Sequence, residues 1–291
     1  RNVDTAKIQE YWEKHPAGYD EIQYLAEDPL AFLEERDRQT RLLSPNVAEK
    51  YRMHLAKGAT VLDLGCGQGF NAQELVSHGA HLIAIDLTRK GIELAVQRFR
   101  LRGLESDFVL ADSQHLPFKD GTFGFVHSSG VLHHIPNIES AVDELHRVLR
   151  PGGKTSIMVY NKSSWRYWYR MQVKLRTAMT LLYILPEKLR AALINRIPSL
   201  RAYVPTRWPS QADVVNAGTD FGGVENPLSR VFTRKSASRL FHRFKIEGFA
   251  TSGSPYKPFK EKKNPWERFL AAVTSRQQER FGWYLLVYLE K

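Results

Sequence analysis

The stretch ATVLDLGCGQGFNAQELVSHG, Ala59 to Gly79, decides how the chain folds. It opens as a short apolar run that carries one carboxylate, Asp63. Such a run reads as a strand buried on both faces. Gly65, Gly67 and Gly69 follow at alternate positions, and then a helical pattern stopped by Gly79. A glycine-rich turn from strand into helix lets a ligand come close to the backbone. The helix N-terminus behind it favours negative charge.

The same rhythm continues outward. AHLIAID reads as a second strand ending at Asp86, and TRKGIELAVQRFRLRG as a helix closed by Gly103. SDFVLAD is a third strand and GTFGFVHSS a fourth. IESAVDELHRVLRPGG is a helix closed by Pro151 and its two glycines, and KTSIMVYN a fifth strand. Short apolar strands alternating with helices imply parallel pairing with helices on both faces. Residues 58–161 are thus predicted to be the core of a doubly wound α/β sheet.

Residues 1–57 predict a helical cap, from VDTAKIQEYWEKH, DPLAFLEERDRQ and SPNVAEKYRMHLA. The last opens with Ser44 as N-cap and Pro45 at the first helical position. The break HPAGYD between the first two carries Tyr19. Residues 162–232 depart from the alternation and read as a helical insertion after strand five. Residues 233–291 complete the sheet through TRKSASRLFHRF, KIEGFATSG, the helical segment NPWERFLAAVTSRQQER and a final strand, GWYLLVYLEK, placed to return antiparallel. The expected architecture is a Rossmann-like, mostly parallel, seven-stranded sheet with an antiparallel last strand.

Composition bounds the function. Cys66 is the only cysteine, which excludes an internal disulfide and a cysteine zinc cage. No run reaches the roughly 18 apolar residues of a spanning helix. No leader is visible, and an opening at Arg1 rather than Met is expected of a sequence lacking its native N-terminal segment. A reducing cytoplasm is the expected compartment. Charge is uneven: residues 1–160 hold 18 Lys+Arg against 22 Asp+Glu, while residues 161–291 hold 24 against 9. The positive half suits an anionic small molecule, an acidic membrane surface or nucleic acid, or is a solvated basic face.

The glycine triplet alone leaves two chemistries open. Gly67, Gly69 and Ala72 satisfy the dinucleotide pattern, so an NAD(P)-dependent oxidoreductase competes. Against it, Asp63 stands where a carboxylate grips a cation and repels a pyrophosphate. Asp112, after strand three, adds an acidic contact suited to an adenine amino group. An antiparallel final strand also departs from the dinucleotide fold.

Five motifs in order carry a resemblance: DLGCGQG, the acid of AIDLT, ADSQHLPF, GFVHSSGVLHHIPN and RVLRPGG. Together they resemble the class I S-adenosylmethionine-dependent methyltransferases, most closely the type 11 methyltransferase domain. The resemblance implies S-adenosyl-L-methionine as cofactor, S-adenosyl-L-homocysteine as product and a small-molecule acceptor. It implies that Gly65, Gly67 and Gly69 line the methionine and ribose portion, with Asp63 near the amino group. Asp86 would bind the ribose hydroxyls and Leu87 the adenine face. Asp112 and the Ser113 backbone would meet the adenine amino group. Ser128, Ser129 and Gly130 would lie beneath the sulfonium.

His133 and His134 follow strand four on the ligand-binding edge. A metal needs three or four converging ligands, and the other histidines are scattered, so no metal is expected. Two readings stand: one imidazole takes a proton from the acceptor, or the pair orients and packs. Tyr19 and Tyr160, the latter ending strand five, are the candidate pocket hydroxyls. Methyl transfer from a sulfonium asks mainly for in-line alignment and exclusion of water, so a strong base is not required.

Residues 161–201 hold nine Lys+Arg and one acid, Glu187, interleaved with Trp165, Tyr167, Trp168 and Tyr169. Read as a lid over a small acceptor, this region packs its apolar side on the sheet. Peripheral membrane contact is the second reading. RNA is the third, since no RNA-binding signature appears.

Overall fold

Thr60–Leu64 (β1) lies at the centre of the sheet, as its unbroken apolar run requires. Val61, Leu62 and Leu64 are fully buried, and they split between two cores, one on each face. The structure, a computed structural model, describes residues 3–16, 28–43, 46–220, 226–253 and 280–291. Around β1 stand β2 (His81–Asp86), β3 (Asp107–Leu110), β4 (Phe123–Ser129), β5 (Leu149–Tyr160), β6 (Lys245–Ser252) and β7 (Tyr284–Glu290). Their spatial order is β3-β2-β1-β4-β5-β7-β6. The first five strands pair parallel, and β7 runs antiparallel to both β5 and β6.

Ten α-helices are described: α1 (Thr5–Lys14), α2 (Pro29–Leu43), α3 (Val47–Lys50), α4 (Phe70–Ser77), α5 (Arg89–Arg102), α6 (Ile138–Val148), α7 (Arg176–Ile184), α8 (Glu187–Arg196), α9 (Gln211–Gly218) and α10 (Arg234–Leu240). The predicted stops hold locally. The α5 N-cap, Thr88, accepts from the Gly91 amide at 3.1 Å, and Gly103 ends the helix with φ 62°. On α6 the buried stripe Ile138, Ala141, Val142, Leu145 and Val148 follows the helical period. Burying each large aliphatic side chain of such a stripe contributes about 1.5–3 kcal/mol.

Two boundaries differ from the sequence reading. SPNVAEKYRMHLA is not one helix: α3 stops after Lys50, Arg52 is left-handed (φ 52°), and a tight turn follows over Met53–Ala56. Contacts with the sheet outweigh helix continuation here. The Tyr288 hydroxyl donates to the Lys50 carbonyl at 2.6 Å, Tyr51 and Ser129 share a 2.7 Å hydroxyl contact, and Arg52 lies over the Tyr288 ring at 3.9 Å. Arg150–Gly153, expected to close α6, instead belongs to β5, whose Leu149 already pairs with Phe123. A register shift between Phe123 and Phe125 accommodates it. Ser44, Pro45, Tyr19 and, apart from Arg280, the helix expected at 264–280 lie outside the described residues.

The chain leaves the sheet after Tyr160 and comes back beside it. Asn161 bridges Phe232, whose amide donates to the Tyr160 carbonyl at 2.8 Å, while the Lys162 amide donates to the Phe232 carbonyl at 2.8 Å. Between them a wide-wound π-helical segment, Arg166–Leu175, runs on into α7. Its Tyr167 and Met171, with Met179 of α7, pack on Val214, Val215 and Trp283. Among the described residues no helix is long and apolar enough to cross a membrane.

Candidate functional site

Strand order reverses between β1 and β4, so the turns leaving their carboxyl ends diverge and open a cleft. The two turns touch at their base. Gly65 has φ 81°, and a Cβ there would stand 2.2 Å from Val131 Cγ2, so both its conformation and its neighbour demand glycine. Gly67 (φ 51°) faces open space, and its amide donates to Asp86 Oδ2 at 2.8 Å. Asp86 Oδ1 accepts from the Thr88 amide at 2.9 Å and its hydroxyl at 2.6 Å. A carboxylate has about four lone-pair sites. Asp86 therefore clamps the glycine turn and retains capacity on Oδ2 for a hydroxyl.

Asp63 is 1% exposed, and its Oδ2 is buried with no hydrogen-bond partner. Burial, and secondly the Asp86 carboxylate, push it up to about 8. An unpaired carboxylate in this setting is stabilised by an arriving cation. Beneath the turn, His127 and Ser156 lie in register with Asp63 on the next two strands. Both His127 ring nitrogens and the Ser156 hydroxyl are also unpartnered, and burial pushes His127 down to about 3.

Arg98 of α5 supports the turn from behind. Its Nε donates to the Gln68 carbonyl at 2.8 Å and its Nη1 to Asp37 of α2 at 2.7 Å, with both side chains 1% exposed. From the front, α1 crosses the carboxyl edge. Gln9 donates to the Leu87 carbonyl at 2.9 Å, Glu13 accepts from the Lys90 amide at 3.1 Å, and Thr5 accepts from Gln114 at 2.9 Å. Gln114 also donates to both oxygens of Asp112. Ser113 lies in the partly buried turn beside it. Ser128 is buried, its hydroxyl donating to the Leu64 carbonyl at 3.1 Å.

Beyond the β4 turn, aromatic rings succeed one another, with Trp283, Tyr160, His133 and His134 all buried. Trp283 stacks on Tyr160 (4.6 Å between centroids), Tyr160 meets His133 (3.9 Å), His133 meets His134 (4.2 Å), and His134 takes the edge of Trp12 (5.0 Å). His134 Nδ1 lies 2.7 Å from the Leu228 carbonyl, an acceptor only, so Nδ1 carries a proton. Its Nε2 faces Asp220 Oδ2 at 3.6 Å. Asp220 also accepts from the Tyr160 hydroxyl and from Asn226 at 2.7 Å. Burial, then Asp220, raise the Tyr160 phenol well above its usual range. His133 is different. It is fully buried, both ring nitrogens are unpartnered, and burial foremost, then His134 and Arg230, hold it well below 6.5. It is a neutral imidazole at neutral pH.

The carboxyl edge thus gathers Asp63, the three glycines, Asp86, Leu87, Asp112, Ser113, Ser128, His133, His134 and Tyr160. The sequence reading missed Arg98, Gln114, Trp12 and Asp220. Arg98 had one sequence signal, a cation on the inward face of α5; the others had none.

Residues 62–157 match a family model described as a methyltransferase domain. The chain is 37% identical over 133 residues to "Methyltransferase GfsG" of Streptomyces halstedii, covering 45% of each protein. It is 36% identical over 106 residues to "Sterol 24-C-methyltransferase erg6" of Schizosaccharomyces pombe, covering 35% of this chain and 28% of that one. The chain spans less than half the length of either relative. Among solved structures, a SAM-dependent methyltransferase from Methanosarcina mazei shares the fold, with TM-score 0.53 and 20% identity over 82% of this chain and 95% of that one.

Proposed function

We propose, from the premise that residues 62–157 are a class I S-adenosylmethionine-dependent methyltransferase domain, that the protein methylates a small, apolar, lipid-like acceptor. The cofactor of such a domain is S-adenosyl-L-methionine, which supplies a methyl group on an already activated sulfonium. The residues present fit it. Asp63 offers an uncompensated carboxylate to its ammonium, Asp86 Oδ2 has room for a ribose hydroxyl, and Gly67 leaves space for close approach.

One observation carries the acceptor class: the continuous wall of rings from Trp283 to Trp12. The neighbouring cations do not present themselves to an anion. Arg230 donates to the Ile135 and Pro136 carbonyls, and Arg166 donates to the Gly218 carbonyl while lying over the Trp283 ring at 5.0 Å. A relative named a sterol methyltransferase agrees with an apolar acceptor.

In this reading the two histidines divide the work. His134 is held through Nδ1 by the Leu228 carbonyl and fixes the wall. His133, neutral and unpartnered, hydrogen-bonds the acceptor and takes its proton as the new bond forms. Burial makes it a weak base, which the step tolerates because the sulfonium is already activated and alignment carries most of the rate. The rings and α1 exclude water from the cleft.

The test is to incubate the protein with methyl-labelled S-adenosylmethionine and a fractionated cell extract. Label is expected in the organic-soluble small-molecule fraction. Label confined to RNA, protein or polar metabolites would refute the acceptor class.

A further inference from the structure

The helix that follows Asn161 has two apolar faces, and only one of them is covered. Tyr167, Met171, Met179 and Leu182 form the inner stripe and are buried. Trp165, Tyr169, Val173, Leu181 and Ile184 recur every three to eight residues on the opposite side, and all are exposed, from 41% to 59%. Positions two apart lie about 200° apart around an α-helix and roughly 160° apart in the wider π-wound part, so the stripes point in opposite directions. Trp165 and Tyr169 stack on each other, and Lys174 lies over the Tyr169 ring at 4.9 Å.

This concentration is local. Of the fourteen exposed large apolar side chains among the described residues, ten lie between Trp165 and Trp208. Residues 161–208 also hold ten Lys+Arg and one acid, Glu187. A soluble face seldom gathers so many exposed apolar groups without a partner.

We infer that this outer stripe docks on an anionic membrane surface, with the helix lying in the interfacial plane. Trp and Tyr prefer the headgroup level, aliphatic side chains sink below it, and flanking cations meet acidic headgroups. Charge decides between occupants. A second copy would bring the same ten cations against themselves. RNA would satisfy the cations and stack on the rings, but would leave Val173, Leu181, Ile184 and Leu189 without a purpose. The inference does not rest on methyl transfer, since neither cofactor nor acceptor takes part.

The experiment is co-sedimentation of the full chain with vesicles of phosphatidylcholine alone, and of phosphatidylcholine mixed equally with phosphatidylglycerol. Binding to the mixed vesicles only is expected. The double substitution Leu181→Asp with Ile184→Asp is expected to lower the partition coefficient on the order of tenfold or more. Both positions are exposed, so S-adenosylhomocysteine binding stays unchanged and reports an intact fold. No partition onto the anionic vesicles, or equal partition by the double variant, would overturn the inference. So would a dimer in ultracentrifugation that the double variant dissociates, because a second copy would then cover the stripe.

Discussion

On the side proposed for the cofactor, Asp86 reaches back nineteen residues to the Gly67 amide and forward two to Thr88. On the side proposed for the acceptor, His134 reaches ninety-four residues to the Leu228 carbonyl, and Tyr160 reaches sixty to Asp220. The first half is built by backbone turns that fold wherever their own strand and helix fold. The second exists only after the insertion has packed. The contrast explains why ligand binding and chemistry should fail separately when residues are changed.

Arg98 gives the strongest test of the first half. Arg98→Met removes one partner of a buried ion pair and frees the Gln68 carbonyl. The expected loss is about 3 kcal/mol in urea unfolding, at the low end for such a pair because Arg102 still meets Asp37 at 2.9 Å. Adding Asp37→Leu should restore part of it; no recovery would mean that packing of the Arg98 stem, not charge, sets the cost.

His133→Ala tests the second half. It should lower kcat about 100-fold while S-adenosylhomocysteine affinity stays within about twofold, since its nitrogens bond nothing else in the chain. An equal fall in ligand affinity would erase the distinction between the halves. Asp86→Ala should do the converse, weakening S-adenosylhomocysteine binding by about 1–3 kcal/mol in calorimetry through lost charge-assisted hydrogen bonds.

A further effect is a proton. Asp63 is raised to about 8 by burial, against about 3.9 in an unfolded chain. The folded protein therefore binds the extra proton between these values, and its stability falls as pH rises from about 4 to 8. A ligand ammonium beside Asp63 selects the carboxylate and should release up to one proton near pH 7. Calorimetry in two buffers of different ionisation enthalpy measures that release, and Asp63→Asn should abolish it.

Legibility in the sequence follows the same divide. The strands from β1 to β5, Gly65 to Gly69 and the acids ending β2 and β3 are read from periodicity and turn chemistry, which are local. So is the Gly103 stop of α5. Asp220 is invisible because it sits in aperiodic sequence and its partners Tyr160 and His134 are far away in the chain. The break at Arg52 was equally hidden, since the partners that cause it, Tyr288 and Glu247, arrive from the far end of the chain. The crossing of the cleft by α1 depends on Gln9, Glu13 and Trp12, whose spacing reads only as one side of an amphipathic helix.

The bridge between Asn161 and Phe232 has a bearing on how such a chain changes over time. Because the insertion departs and rejoins at adjacent points, the sheet experiences it as a single join closed by two backbone hydrogen bonds of 2.8 Å. Its length and contents are free to drift without altering strand register. A lineage can therefore replace the whole segment, and with it the outer stripe and the groups that brace Tyr160 and His134, while inheriting the rings and the glycine turns intact. Laboratory grafting at Lys162 and Val231 should meet the same tolerance, provided the incoming piece supplies a carboxylate for Tyr160 and a carbonyl for His134.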